Sequence, residues 1–440
     1  MGNLKGFGVQ PALERARVRI SCSPKRVFQT VLFLCLSLIC AATLASAQAG
    51  SLDPTFGTGG IFTFSTTSNG GGSNSASAIA LQSDGKLVVA GQVGSRSGLL
   101  RLNTNGTLDT TFGTAGVVVS KLGGVVDQLF VGLAIQSDGK IVVSATGIPA
   151  RGQVGRFNPN GSPDTTFGTA GVASLSMTAG LLVLQTDGRI IVTGASAGNA
   201  SMARLQSNGQ LDTSFGTNGQ APLAAGAGSI TLQADGKILI GSGAFAAAAV
   251  LNPANGAGAV ARYNTNGSLD KSFGISGLAA SIVAPSALAV QSDGKILAAG
   301  SNVSQLALSG NVGGFGLVRL NSNGSVDTTL GTRGGVTTAF PGASLTDAFA
   351  VILQSNGDIV AAGEAGNAAT SQLTESFALA RYLGTGKLDS TFGTGGLVTT
   401  NFGNTAAAFI TSLVLQSDGK IVAAGSNAGN TVEVARYLGQ

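Results

Sequence analysis

From about residue 51 onward the chain breaks into short apolar runs separated by turn residues. Ala78–Gln82 and Lys86–Ala90 flank Ser83-Asp84-Gly85. Asp-Gly between apolar runs is a strong hairpin signal, and this spacing predicts a type I′ turn with positive φ at both central residues. A third run, Leu99–Asn103, ends at Thr104-Asn105-Gly106, a second turn of the same composition. The fourth strand is either Thr107–Phe112 or the stretch Val117–Ser120 behind it, and the latter fits better. No segment carries a helical period, and the gaps are rich in Gly, Ser, Thr and Asn.

The same four-strand pattern recurs seven times. The first phrase spans Leu81–Lys86, Ile135–Lys140, Leu184–Arg189, Leu232–Lys237, Val290–Lys295, Leu353–Asp358 and Leu415–Lys420. A second phrase, Leu-Asp-x-Thr/Ser-Phe-Gly in its fullest form, places an aspartate at 53, 109, 164, 212, 270, 327 and 389. Between the phrases stands one arginine per copy: Arg101, Arg156, Arg204, Arg262, Arg319, Arg381 and Arg436. The sixth copy of the first phrase departs most, with Asn356 for Asp and Asp358 for Lys, and Leu330 replaces Phe in the preceding tail. Four strands in roughly 56 residues make a propeller blade. The expected fold is therefore all-β, a single seven-bladed β-propeller over residues 48–440, with a β-solenoid as the alternative. The blades fall near 76–120, 125–177, 179–223, 226–283, 285–340, 345–402 and 405–440. Residues 51–64 carry a tail without its own blade, and the seventh copy stops where it needs one. A strand from 51–64 completing the last blade would close the ring and remove both sheet edges.

In these residues the chain resembles the delta-60 repeat proteins of bacteria. It is also similar to NHL-type propeller repeats, in which an apolar strand, Asp-Gly turn, second strand, basic-aromatic strand, Asn-Gly turn and Phe-Gly follow in order. The resemblance covers nearly all of residues 51–440. It implies architecture and export but no catalytic residue, because the delta-60 family is defined by its repeat. Some NHL propellers are lyases that use metal-bound histidines, and this chain has no histidine.

Composition changes the picture mainly at the N-terminus. Arg15, Arg17, Arg19, Lys25 and Arg26 precede the apolar run Val31–Ala42, and Ala45-Ser46-Ala47 supply small residues before Gln48. Residues 1–47 read as a secretory signal peptide, too short in its apolar part for a stable span. The whole chain carries 25 basic and 20 acidic residues; beyond residue 47 the count is 19 of each. The basic excess belongs to the leader, so no nucleic-acid partner is implied. All three cysteines, Cys22, Cys35 and Cys40, also lie there. Secretion or a periplasmic location follows, with no stable membrane span after removal of the leader and a monomer as the expected state.

Thirteen of the sixteen aspartates beyond residue 47 occupy the two repeat phrases. A residue used once per blade is structural: Asp84 and its equivalents suit turns, and Asp109 and its equivalents suit pairing with the blade's arginine. The run Asn103–Asp109 looks like a calcium loop but holds one carboxylate, too few for that ion. Without histidine no Ser/His/Asp triad exists, and no two acids are paired by spacing as glycosidases require. No catalytic residue, metal ligand or cofactor is assigned. Connection length supplies the positional signal. From the glycine ending the second strand to the arginine of the third there are 10 residues in blade one (Gly91 to Arg101) but 19 in blade five (Gly300 to Arg319) and 18 in blade six (Gly363 to Arg381). Blade four inserts 244–260. Candidate partner-binding loop residues are therefore Asn252, Asn255, Gln305, Asn311, Glu364 and Glu375. The functional expectation is an exported, non-catalytic binding or scaffold propeller recognising a protein or cell-surface component. The alternatives are an extracellular enzyme acting on polysaccharide through Glu364 and Glu375, and a structural or adhesion element.

Overall fold

The computed structural model describes residues 48–66, 72–120, 122, 128–147, 152–243, 258–302, 314–367, 374–403 and 407–440. Among these residues the apolar runs become 28 strands in seven four-stranded antiparallel sheets. Blade one shows the unit: Ser75–Leu81, Leu87–Val93, Arg96–Leu102 and Val117–Val119, each strand paired to the next. The seventh blade takes its fourth strand from the other end of the sequence. Ile61–Phe64 pairs antiparallel with Thr431–Tyr437, Ile61 opposite Ala435 and Phe64 opposite Val432. The chain is a seven-bladed β-propeller closed by this strand. Among the described residues no helix is long and apolar enough to cross a membrane. The proposed leader, residues 1–47, lies outside the described residues.

First strands of all seven blades surround one narrow cavity of about 250 Å³, lined by small or apolar residues such as Ser77, Gly132, Leu182, Ile230, Ala287, Ala350 and Ser412. In five blades the first strand bulges there, at Ala76/Ala78, Phe130/Gly132, Pro285/Ala287, Ala348/Ala350 and Ile410/Ser412. The bulge drives a carbonyl toward the second strand. A Cβ on Gly363 would stand 1.9 Å from the Asp347 carbonyl oxygen, so glycine fits the bulge at this position, where blade two has Ala145.

The Asp-Gly turns differ from the expected type I′. Gly85 has φ of +82°, whereas Asp84 stays outside the left-handed region. The Gly85 N–H donates to the Gln82 carbonyl (3.0 Å) and the Gln82 N–H to the Lys86 carbonyl (2.8 Å). This is a three-residue loop, a type I turn followed by a left-handed glycine. Asp84 decides it, because its Oδ1 accepts the Lys86 N–H at 3.1 Å and needs no positive φ to do so. Two-residue left-handed turns occur instead between the second and third strands, at Gly94-Ser95 and Ala197-Gly198.

Blades are joined by one polar unit used seven times. In blade three, Arg204 Nε donates to Asp212 Oδ2 at 2.7 Å, and both side chains are at most 6 % exposed. A second guanidinium nitrogen donates to the Thr265 carbonyl in the turn of blade four (2.6 Å), and the cation lies 4.6 Å above the Phe215 ring. Asp212 Oδ1 accepts from both the Ser214 backbone N–H and its hydroxyl. The Gly216 N–H then donates to Asn266 of the same neighbouring turn. Burial alone would raise the Asp212 pKa, but the Ser214 hydrogen bonds and the Arg204 charge outweigh it and hold the carboxyl below its ordinary range. The last copy bridges the two ends of the sequence: Arg436 binds Asp53 (2.9 Å), the Thr104 carbonyl of blade one (2.5 Å) and the Phe56 ring (4.6 Å). Blade five keeps the Arg319–Asp327 pair and has Leu330 beneath it, without the ring.

Deleting residues 51–64 removes the closing strand, Asp53 and Phe56 together, leaving Arg436 buried without its carboxylate. The loss should exceed about 5 kcal/mol, and an unchanged melting temperature would contradict the closure. Asp212→Asn should lower stability to urea at pH 7 by about 3–5 kcal/mol, because Arg204 keeps its buried charge and loses its counter-ion.

Candidate functional site

The carboxylates of the second repeat phrase are committed to the arginine units, and none is free for chemistry. Asp109, ending the calcium-like run, accepts from Arg101, Lys86 and Thr111. The turn around Asn105-Gly106 is fully used as well. A Cβ on Gly106 would stand 2.8 Å from the Phe56 ring, so the glycine fits both the left-handed turn and the tail of the preceding blade. Among the described residues no group of three or more His, Cys, Asp or Glu side chains is arranged to hold a metal ion.

Acids outside the repeat phrases concentrate on blade six. Its second and third strands, Ile359–Asn367 and Thr374–Tyr382, are nine residues long, against seven for their counterparts in blade one. Glu364 and Glu375, expected in a solvated loop, therefore stand on strands. The connection reads as a long loop in sequence, yet its two arms continue the ladder through Glu364–Phe377, Ala365–Ser376 and Gly366–Glu375. Asp347 on the first strand lies directly opposite Glu364. Glu375 faces Gly366, two residues beyond Glu364 and so on the same face of the sheet. Connection length does not select Asp347, because its pairing with Glu364 depends on register and has no local signal.

These three carboxyls share a poorly solvated corner. Ser301 of blade five donates to Asp347 Oδ1 at 2.5 Å. Glu364 is 9 % exposed, and no hydrogen bond reaches its carboxyl among the described residues. Burial pushes Glu364 up to about 7, and the charges of Glu375 and Asp347 push the same way. Burial also raises Glu375, with Asp347 adding to it, and raises Asp347 against the opposing Ser301 hydrogen bond. Phe377, directly opposite Glu364 on the third strand, is fully buried and packs edge-on against Phe402 at 4.5 Å. The remaining candidates, Asn252, Asn255, Gln305 and Asn311, lie outside the described residues.

Glu433 on blade seven makes the informative contrast. It is 1 % exposed, and burial raises its pKa as well. Yet it accepts from Thr63 (2.6 Å), Asn427 (2.8 Å) and Thr431 (2.6 Å). Its oxygens have partners within the fold, and those of Glu364 do not.

A family model described as "Domain of unknown function (DUF5122) beta-propeller" matches residues 82–112, 136–167, 185–215, 233–273, 291–330 and 354–392. Each match runs from the first turn of a blade to its tail aromatic or leucine. The corresponding stretch of blade seven is split between residues 416–440 and 51–56. No curated protein matches the chain. Among solved structures, a protein of unknown function from Bacteroides caccae is 13 % identical over 57 % of this chain and 79 % of its own, with a TM-score of 0.37. The extracellular domain of a protein described as a hybrid two-component system from B. thetaiotaomicron is 13 % identical, covering 86 % of this chain and 40 % of its own, at 0.43. The polysaccharide lyase Uly1 is 12 % identical over 83 % and 90 % of the two chains, at 0.42. Likeness at these levels carries no argument about activity.

The raised carboxyl sets a sign for stability. A folded-state pKa above the unfolded value favours the folded protein at low pH, and this advantage disappears as pH rises from the ordinary glutamate range through about 7. Glu364→Gln should therefore melt like the parent at pH 5 and about 2–4 °C higher at pH 8. Parallel melting curves across that range would remove the buried, unpartnered carboxyl from the account.

Proposed function

With six of its seven repeats matched to the DUF5122 β-propeller family, we propose that this chain is an exported binding platform that seats a partner on one face of the ring. The face is the one bearing the connections between second and third strands, around blades four to six. The observation carrying this reading is the grouping of Asp347, Glu364 and Glu375 at the base of the blade-six connection. Elsewhere the acids of the second repeat phrase hold blades together, and a residue bound in seven-fold repetition has no spare chemistry. Departures from a repeat mark where selection for something other than the ring has acted. The opposite face carries short turns of nearly constant length, while the blade four to six connections vary, as binding loops on rigid scaffolds do. The leader-like residues 1–47 and the resemblance to delta-60 repeats support a location outside the cytoplasm for this platform.

A second reading has one observation in its favour. A carboxyl pushed up to about 7 beside other acids is the pattern of a general acid, and polysaccharide cleavage uses two carboxyl groups in different protonation states. In that case Glu364→Gln or Glu375→Gln would abolish turnover on a susceptible polymer while leaving the melting curve that of a folded protein.

The platform is tested by crosslinking capture from envelope and culture extracts, using the mature chain and a variant whose blade four to six connections are cut to the blade-one length. Capture of a partner by the parent and its loss from the shortened variant is the expected result. Equal capture by both baits would move the interface elsewhere.

A further inference from the structure

Blade six is electrostatically unlike the rest of the ring. Residues 345–402 hold five acids, Asp347, Asp358, Glu364, Glu375 and Asp389, against two cations, Arg381 and Lys387, a net charge of −3. The rest of 48–440 carries +3. On the turn face of this blade Asp358 stands where five other blades have lysine and one has arginine, with Asn356 replacing the turn aspartate. On the other edge Glu364 occupies a position held elsewhere by Gln92, Thr146, Ala195, Gly243, Ser301 and Ser426, all without charge. Asp347 likewise replaces Ser75, Leu129, Ala284 and Phe409. Glu375 sits on the extended part of the hairpin, which the shorter blades lack.

Among the described residues, two other cavities and the buried Glu433 are accounted for by the fold. The central channel has no charged lining. The cleft between blades three and four on the turn face, near 530 Å³, is lined by Arg189, Arg204, Asp187 and Asp235. Both arginines there are bound to aspartate. Glu433 has three donors. Glu364 alone among these acids is nine-tenths buried and unpartnered, and it faces two more carboxyls.

Resting on the platform reading, we propose that the blade-six corner formed by Asp347, Glu364 and Glu375 is a cation-binding site that takes a basic side chain, arginine or lysine, from the partner. A guanidinium or ammonium brings donors that Glu364 lacks and a charge opposite to all three acids, and charge-assisted bonds of this kind are strong when shielded. None of the three forms an ion pair within the described residues. Of the cations of the flanking blades, Lys295, Arg319, Lys420 and Arg436 are bound to aspartates of the repeat, and Arg333 is exposed on the tail of blade five. The groups facing Glu364 are Asp347 from the first strand and Glu375 from the third, both acidic, with neutral Phe377 opposite. Binding a cation must therefore displace a proton. Occupancy rises with pH through neutrality, so the partner is held at pH 8 and released toward pH 6.

The probe is a fluorescein-labelled tetra-arginine peptide, with a tetra-citrulline peptide as its uncharged counterpart, followed by anisotropy at low salt. The expected result is saturable binding of the arginine peptide alone, about tenfold tighter at pH 8 than at pH 6. Glu364→Gln should weaken binding at pH 8 by about tenfold and flatten the pH dependence, while Asp358→Asn, on the opposite edge of the blade, should leave it unchanged. Equal weakening by both variants would mean a diffuse field and overturn the site. So would undiminished binding by Glu364→Gln, with thermal melting confirming that each variant is folded. Displacement of the peptide by millimolar calcium at constant ionic strength, lost in Glu364→Gln, would assign the corner to a metal ion and overturn the basic side chain. Absence of peptide binding alongside loop-dependent capture of a partner would leave the platform standing without this site.

Discussion

The ring depends on one arginine per blade. Its guanidinium ties together the third strand that carries it, the tail holding the aspartate and, in six blades, the phenylalanine, and the turn of the next blade whose carbonyl it binds. Neighbouring sheets of the propeller share no strand ladder, so their angle is set by what is locked between them. An apolar wedge could fill that gap but would fix the spacing only loosely. A planar cation with directed donors fixes distance and orientation together. The arrangement is costly unless every group is satisfied, because an isolated buried charge is strongly unfavourable. That explains why arginine, aspartate and the following Thr or Ser recur as a unit, with a serine hydroxyl replacing threonine in Ser214 and Ser272 without loss of the contact.

The lock tolerates subtraction at its edges more than at its centre. Blade five dispenses with the ring under the cation and blade six with the lysine beside the aspartate, yet both keep the arginine–aspartate pair. Elsewhere a cation from the first hairpin leans on the aspartate at 2.9–3.5 Å, at side-chain exposures of 28–44 %. Ion pairs that wet are worth little, and the chain can vary them. This separates positions that hold the ring from positions free to drift or to serve another purpose. The acids of blade six fall in the second group.

Much of this was legible in the residues because the repeat declares itself seven times in register. Strand order, closure by 51–64 and the Arg101–Asp109 pairing all follow from spacing and charge. Less visible was anything that depends on local backbone choice. The Asp-Gly phrase suggests a type I′ turn, but the Asp84 carboxylate bonds to the Lys86 N–H and selects a type I turn with a left-handed glycine. Gly363 looks like an ordinary strand terminator until the bulge at Ala348/Ala350 brings the Asp347 carbonyl against it. The candidate site was half legible. Connection length picked out Glu364 and Glu375, yet the seventeen residues between Gly363 and Arg381 read as loop, although eleven of them lie on the second and third strands. Asp347 is far away in sequence and becomes a neighbour only through register.

A buried acid can be stabilised in two ways, and this molecule contains both. Glu433 is supplied with hydroxyl and amide donors from its own sheet, Thr63 among them on the closing strand. Its burial is balanced inside the fold, and such a group has little reason to respond to anything outside. Glu364 has the same kind of burial and no donor, and its nearest charges repel it. Its balance comes from a proton at low pH, and at higher pH it must come from elsewhere. A fold that provides donors for Glu433 and withholds them from Glu364 on the adjacent blade is not limited by what a blade can offer. The difference lies in register: Glu433 stands among Thr63, Asn427 and Thr431, whereas Glu364 faces Asp347 and Phe377.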